Sequence, residues 1–518
     1  MHSPQWGEGA PSKKGKGNSY ARISTMTTFK RTLILLGWLC SPLTLADTWW
    51  QGELTAGGFI WVETPAGSGL TVDGEALSTF PPRTLVGLPR NPADQVQLER
   101  TLADGQMQQA TLEIGPRTFF EQFVQGVPSA TVTPNPEQQA RIQTELAQTL
   151  AARSQPRADA LGVQMPFAWP VFGRITSVYG SQRWFNQIAH APHWGIDIAA
   201  PVGTPVLAPA AGTITLAANL LLSGGTVMMD HGQQLTSAFL HLSDWSVAVG
   251  DAVQQGDVIG FVGATGRATG PHLDWRLDWA GTRIDAQLWV PPMAEVCAIE
   301  GEGDALVVLL HGLGRTPLSM VDMARSLRSA GFSTCNQGYP SRDYTIEALA
   351  PYVASAVQRG RAAGFEQIHF VTHSLGGILV RYYLTLSAHN MPGSVVMLAP
   401  PNHGSKVVDA LESVPGFSEL MGPAALQLTT DLNSLPNQLP DVGLPTGIIA
   451  GDRSSDPWFG VLFNTASDGK VSVPSTQLMS MRDHIVLPVG HTLMMHDDEV
   501  QKAVLNFLQH QSFTPPAE

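Results

Sequence analysis

Short runs of alternating apolar and polar residues, punctuated by Gly, Pro and Asp-Gly, dominate residues 47–130; Gly58-Phe59-Ile60-Trp61-Val62-Glu63 is representative. A period of two predicts half-buried strands, hence a β domain. Residues 135–154, NPEQQARIQTELAQTLAARS, have no Gly or Pro after Pro136 and set Ile142, Leu146 and Leu150 on one helical face. That predicts a helical connector within 131–165, with a Pro-containing link over 155–170. From 171 to about 290 the pattern is β again, rich in turn glycines and without a long helix. After Ala305 the rhythm changes. Leu306–Leu310 is a continuous apolar run, followed by a Gly-rich turn and the helix-like SMVDMARSLRSAG. Strand–helix alternation continues from there, predicting a mostly parallel sheet with helices on both faces. Pro291-Pro292 and the GEGD segment mark a junction near 291–304. The expectation is multidomain: an all-β N-terminal domain (47–130), a β-rich domain (166–292) and an α/β domain (300–513).

Length supports several cores, since 518 residues exceed one ordinary domain. A net charge of −13, with no basic run after the first 31 residues, argues against a nucleic-acid partner. Residues 26–46 read as a secretory signal: Lys30 and Arg31 precede an apolar stretch, and Thr44-Leu45-Ala46 offers small-residue cleavage. Residues 1–25 then form an upstream extension, and the mature protein is expected in the periplasm or outside the cell. Cys297 and Cys335 remain after the signal, either paired or as two buried thiols.

Two groups of residues carry chemistry. The first is PHWGIDIAAPVGTPVLAP, with His193 and Asp197, and TGRATGPHLDW, with His272 and Asp274; His241 lies between them in AFLHLSDW. On strands, positions two or four apart share a face. Neutral imidazole and carboxylate are the ligands of a catalytic zinc, which keeps one position open for water. Neighbouring histidines can move protons.

The string from GRITSVYGSQR through GPHLDW resembles the lysostaphin/LytM-type zinc metallopeptidases, which cut peptide cross-links in peptidoglycan, and the resemblance extends over about residues 165–290. The resemblance implies one zinc held by His193, Asp197 and the residue at 274, with His241 and His272 flanking the metal water. That family has His where this chain has Asp274. A His-Asp-Asp set is harder and more anionic, so manganese becomes an alternative to zinc. The other alternative is a degenerate domain that binds the wall or activates an amidase, with a divisome partner. His231 is expected in a hairpin turn, and His190 in a loop beside the groove.

The second group is Ile368–Val371 leading into Thr372-His373-Ser374-Leu375-Gly376-Gly377. A serine on a tight strand-to-helix turn exposes its hydroxyl beside helix N–H groups. Leu313, in VVLLHGLG, and Leu375 could offer backbone oxyanion donors. Asp468 and His491 follow in the order Ser…Asp…His; Asp468 is expected to precede a strand. Asp452 stays open as the orienting acid, and His484 and His496 as bases. His373 and His403 are expected to shape loops, and His311 to pack or hydrogen-bond under the oxyanion loop. Residues 305–511 resemble small bacterial lipases and esterases of the α/β-hydrolase fold, with Thr372 where the elbow usually has Gly. Two classes follow. One is a bifunctional envelope enzyme acting on peptidoglycan peptides and on an ester or lipid. The other is an esterase anchored by a non-catalytic wall-binding module. Each half reads as complete without the other, so a junction of two adjacent genes near Met293 also stays open.

Overall fold

The computed structural model describes residues 49–125, 134–153, 162–185, 187–386, 393–454, 459 and 462–514. The expected signal segment and upstream extension lie outside them. Trp49–Glu518 forms one compact unit. Among the described residues no helix is long and apolar enough to cross a membrane.

The alternation over 47–130 builds two small antiparallel sheets, which close on a core of Ile60, Val62, Leu70, Leu98 and Leu112. The connector is helix α1 (Pro136–Arg153). Its apolar stripe is poorly covered: Leu146 and Leu150 are 46% and 54% exposed, and Ala152 is its buried residue. The link after it is not a solvent-exposed spacer, because Val163, Phe167 and Trp169 are packed in the core of the next sheet.

That sheet is antiparallel and contains β1 (Arg174–Ser177), β2 (Ile196–Ala199), β3 (Gly212–Leu220), β4 (Gly224–Gly232), β5 (Leu235–Leu242) and β6 (His272–Trp279). In space the order is β3-β4-β5-β6-β2-β1, with Ala252–Val253 beside β3. β4 and β5 are buried along their whole length, so they carry no alternation.

The C-terminal part is a second sheet: β7 (Ala305–Leu310), β8 (Ser333–Gln337), β9 (Gln367–His373), β10 (Val395–Leu398), β11 (Thr446–Gly451) and β12 (Asp483–Leu487). These pair in parallel in the order β8-β7-β9-β10-β11-β12, with Ile299–Glu300 antiparallel on the β8 edge. Parallel strands need crossovers. Here they include α2 (Val321–Ser329), α3 (Ile346–Ala362) and α4 (Leu375–Leu386); α5 (Asp498–His510) follows β12. Apolar cores form on both faces, one with α3 and α4 and one with α2 and α5.

Candidate active sites

Asp197 on β2 lies opposite Asp274 on β6 in ladder register. His193 is not on the strand, as its spacing from Asp197 suggested. It sits in the approach loop, held by Gly180 N–H donating to its carbonyl (2.7 Å) and its own N–H donating to Ser181 O (2.8 Å). Its Nε2 is 3.0 Å from Asp197 Oδ1 and 3.4 Å from Asp274 Oδ2, and all three side chains are buried. His193 Nδ1 lies 3.0 Å from Ser177 Oγ, whose own proton goes to Gln122 Oε1 at 2.8 Å. The ring proton is therefore on Nδ1, and the Nε2 lone pair faces the carboxylates. His241 and His272 repeat this arrangement, each giving Nδ1–H to a backbone carbonyl (Thr265 O and Gly270 O, both 2.8 Å). Their rings are 4.8 Å apart, and His272 Nε2 is 3.8 Å from Asp197 Oδ1.

Two arginines complete the cluster. Arg276 binds Asp274 through Nε (3.0 and 3.1 Å) and Nη2 (2.6 Å), and Arg183 binds Asp197 Oδ2. Gly195 makes room for the first pair: a Cβ there would fall 2.3 Å from Asp274 Oδ1. Burial alone pushes Asp274 up, but Arg276 and His193 hold its carboxyl well below the usual carboxylate range. Burial pushes the His193 imidazole down, and Asp197 and Asp274 outweigh it, so the net shift is upward. His241 is pushed down to about 4, chiefly by burial, and is neutral at pH 7.

Does this set fit a divalent cation? Nε2 of His193 and Oδ1 of Asp197 are buried without a hydrogen-bond partner and face one another. Orphaned buried polar atoms are costly unless something occupies the space between them. His193, Asp197 and Asp274 offer ligand atoms within 4.8 Å of one another, in a donor chemistry suited to zinc or manganese. They fit one ion.

At the second site β9 ends at His373 and is followed by Ser374, whose φ is +52°. Left-handed backbone is uncommon for serine and marks the sharp elbow between β9 and α4. Ser374 Oγ–H points to His491 Nε2 at 3.0 Å, and His491 Nδ1–H donates to Asp468 Oδ2 at 2.7 Å. Asp468 Oδ1 accepts from the N–H groups of Lys470 and Val471 (2.9 and 2.8 Å), which holds the carboxylate oriented. His373 is buried, and its Nε2–H donates to the carbonyl of His491 at 2.9 Å. Burial holds its pKa well below the ordinary value, so it supports the base as a neutral ring. Leu375 opens α4, where the first amides have no intrahelical partner. The turn carrying Leu313 presses on the serine: a Cβ on Gly312 would lie 2.7 Å from His373 Nδ1. His311 stacks on Tyr339 at 4.2 Å beneath that turn.

Residues 191–286 match peptidase family M23. The DD-carboxypeptidase/endopeptidase Mpg of Neisseria meningitidis is 38% identical over 153 residues, which are 28% of this chain and 35% of that protein. The chain thus spans about a third of that curated relative's length. Residues 191–286 form an M23 peptidase domain. A Pseudomonas aeruginosa structure assigned to peptidase M23 is 30% identical, covering 46% of this chain and 95% of its own, with a TM-score of 0.36. A mature Bacillus licheniformis lipase is 19% identical, covering 38% of this chain and 89% of its own, with a TM-score of 0.34.

His193, Asp197, His241, His272 and Asp274 all converge in the M23 domain. Arg276 was missed, although it follows His272 and Asp274 at the same period of two. Arg183 carries no comparable signal, since only folding brings it to Asp197. His231 is not in a turn but on β4, fully buried, with Nδ1–H on Ala211 O (2.8 Å) and Nε2 2.7 Å from Ser237 Oγ. His190 follows the short edge strand Ile188–Ala189. In the C-terminal part, Asp468 is followed by the short helix Val473–Thr476 rather than by a strand. Asp452 is exposed just past β11, and His484 and His496 contact Thr476 and Asp322. His403 meets Asn437 at 2.8 Å.

Proposed function

We propose that this chain is an extracytoplasmic bifunctional hydrolase: a metal-dependent peptidoglycan endopeptidase in the M23 domain and a serine carboxylic-ester hydrolase of α/β-hydrolase fold in residues 305–511. The unbroken Ser374–His491–Asp468 array carries the ester half. The orphaned ligand atoms of His193 and Asp197, within an M23 match, carry the peptidase half.

In the ester reaction, His491 Nε2 takes the Ser374 proton as Oγ attacks the acyl carbon. Asp468 stabilises the imidazolium, and the amides of Leu313 and Leu375 receive the oxyanion. His491 then returns the proton to the leaving alcohol, and water repeats the sequence to release the acid.

In the M23 domain, His193, Asp197 and Asp274 would hold one zinc or manganese, which polarises a scissile carbonyl and acidifies water. The chain's own part is to keep His241 as a neutral ring and to present Nε2 of His241 and His272 beside that position. There they accept or donate the proton passed between water and the leaving amine.

One observation favours a second reading, a wall-binding module without peptidase activity. Arg276 engages both oxygens of Asp274, supplying fixed positive charge where the third ligand stands.

Metal content by mass spectrometry on the mature protein, with Asp274→Ala and Ser374→Ala in parallel, tests these readings. About one equivalent of metal, and cross-link cleavage lost in Asp274→Ala alone, support the endopeptidase. Metal-free protein in micromolar zinc would establish the wall-binding alternative. Ser374→Ala is expected to lower ester turnover by at least about 10³-fold; full activity in that variant would end the serine-hydrolase reading.

A further inference from the structure

A cleft of about 700 Å³ lies away from both sites, walled by the N-terminal sheet, the M23 domain and the loop leading into α3. It contains neither Ser374 nor any of the metal-cluster residues, and its size is that of a ligand pocket, about 300–1,000 Å³. We propose that it binds the glycan strand of peptidoglycan, as neutral N-acetylated sugar rings; this rests on the wall-acting reading above.

The chemistry of the walls selects that ligand. Phe59, Tyr344 and Tyr382 line the cleft from both sides of the junction, and Tyr344 is 44% exposed. Trp61 lies behind them, buried, with the Arg83 guanidinium 4.3 Å over its ring. Ring faces pack against the flat C–H faces of pyranoses, burying apolar area without demanding charge. Carboxylates come from different walls: Glu53 from the first strand of the N-terminal sheet, Asp343 and Glu347 from around the start of α3. Such acceptors suit hydroxyl and amide N–H donors.

Charge excludes the main rivals. Among the lining residues the carboxylates of Glu53, Asp285, Asp343 and Glu347 outnumber the guanidiniums of Arg83 and Arg117, and Arg117 is already paired with Asp285. Anionic stem peptides and phosphorylated lipid headgroups would enter against that field.

The test is titration of the mature protein with the β-1,4-linked tetramer of N-acetylglucosamine, read by calorimetry and tryptophan fluorescence. The stem peptide serves as the anionic control. Saturable binding of the sugar, weakened at least tenfold by Tyr344→Ala and by Glu53→Gln with ester turnover unchanged, is expected. No saturation at millimolar sugar, preference for the stem peptide, or binding indifferent to both substitutions would overturn the proposal. Metal content and cleavage of a soluble cross-linked peptide are read on the same samples. Sugar binding without cleavage would therefore sink only the endopeptidase reading, and cleavage without sugar binding only this one.

Discussion

Arg276 shows how one side chain changes the meaning of its neighbour. Asp274 alone is a carboxylate where a metal-ligating imidazole is expected; with Arg276 on both oxygens it is half of a buried ion pair that also faces His193. The types of the five site residues could be read directly from the chain. Their second partners could not, because Arg183 and Gln122 reach the cluster only through tertiary contacts. A quieter residue makes a sharper prediction. His231 is fully buried with both ring nitrogens engaged, and burial pushes it down to about 4. In the unfolded chain it titrates near 6.5. Between those values the unfolded state binds the extra proton, so stability falls as pH drops from about 6.5 towards 4, by about 1.4 kcal/mol per pH unit for this group. Urea midpoints at pH 7 and pH 5 should show a loss about 2 kcal/mol greater in the wild type than in His231→Gln. Equal losses would mean that the ring is protonated in place.

Elements were legible where polar and apolar residues alternate in sequence and obscured where they do not. β6 alternates in sequence, which points His272 and Asp274 the same way even though Asp274 and Asp278 are buried; β4 and β5 are buried throughout and carry no period. α1 was legible from its Ile-Leu-Leu spacing, yet Leu146 and Leu150 remain largely exposed. The short stretch between the M23 domain and the parallel sheet is fastened by Cys297 and Cys335, whose Cα atoms are 5.4 Å apart and 38 residues distant in sequence. Cα atoms at that separation suit a disulfide, and closing such a loop is worth about 3–4 kcal/mol. The Cys297→Ser/Cys335→Ser double variant should lose that much in a denaturant titration. Two titratable thiols in the oxidised wild type would show that the bridge does not form.

At the scale of the molecule, the M23 domain and the parallel sheet are not strung together. Gln358 on α3 donates to the carbonyls of Trp169 and Ala208 (both 3.2 Å), Gln255 donates to Pro166 O and Pro209 O (2.6 and 2.9 Å), and Arg361 donates to Gln255 O (2.7 Å). The Gln358 and Arg361 bonds cross from α3 into the M23 side, where Gln255 is fixed by its own bonds; partners matched this closely across a boundary argue for a chain that folds as one, against an accidental junction near Met293. Gln358→Leu strands the Trp169 carbonyl, while Ala208 O keeps the Gly256 N–H at 2.9 Å, and should cost about 1–3 kcal/mol. Scanning calorimetry should show one transition, moved as a whole. Two separate transitions, with only one displaced by the substitution, would mean that the parts fold independently.

The residue types of both sites, the strand and helix periods, and the change of rhythm after Ala305 were determined by the sequence alone, because they depend on local spacing and on which side chains can carry a given chemistry. The approach-loop position of His193, the arginines over the carboxylates, the buried amides at the junction and the aromatic cleft were decided by the tertiary structure. Apart from Arg276, which sits two residues from Asp274, these contacts join residues a dozen to nearly two hundred positions apart, and local periodicity holds no record of them.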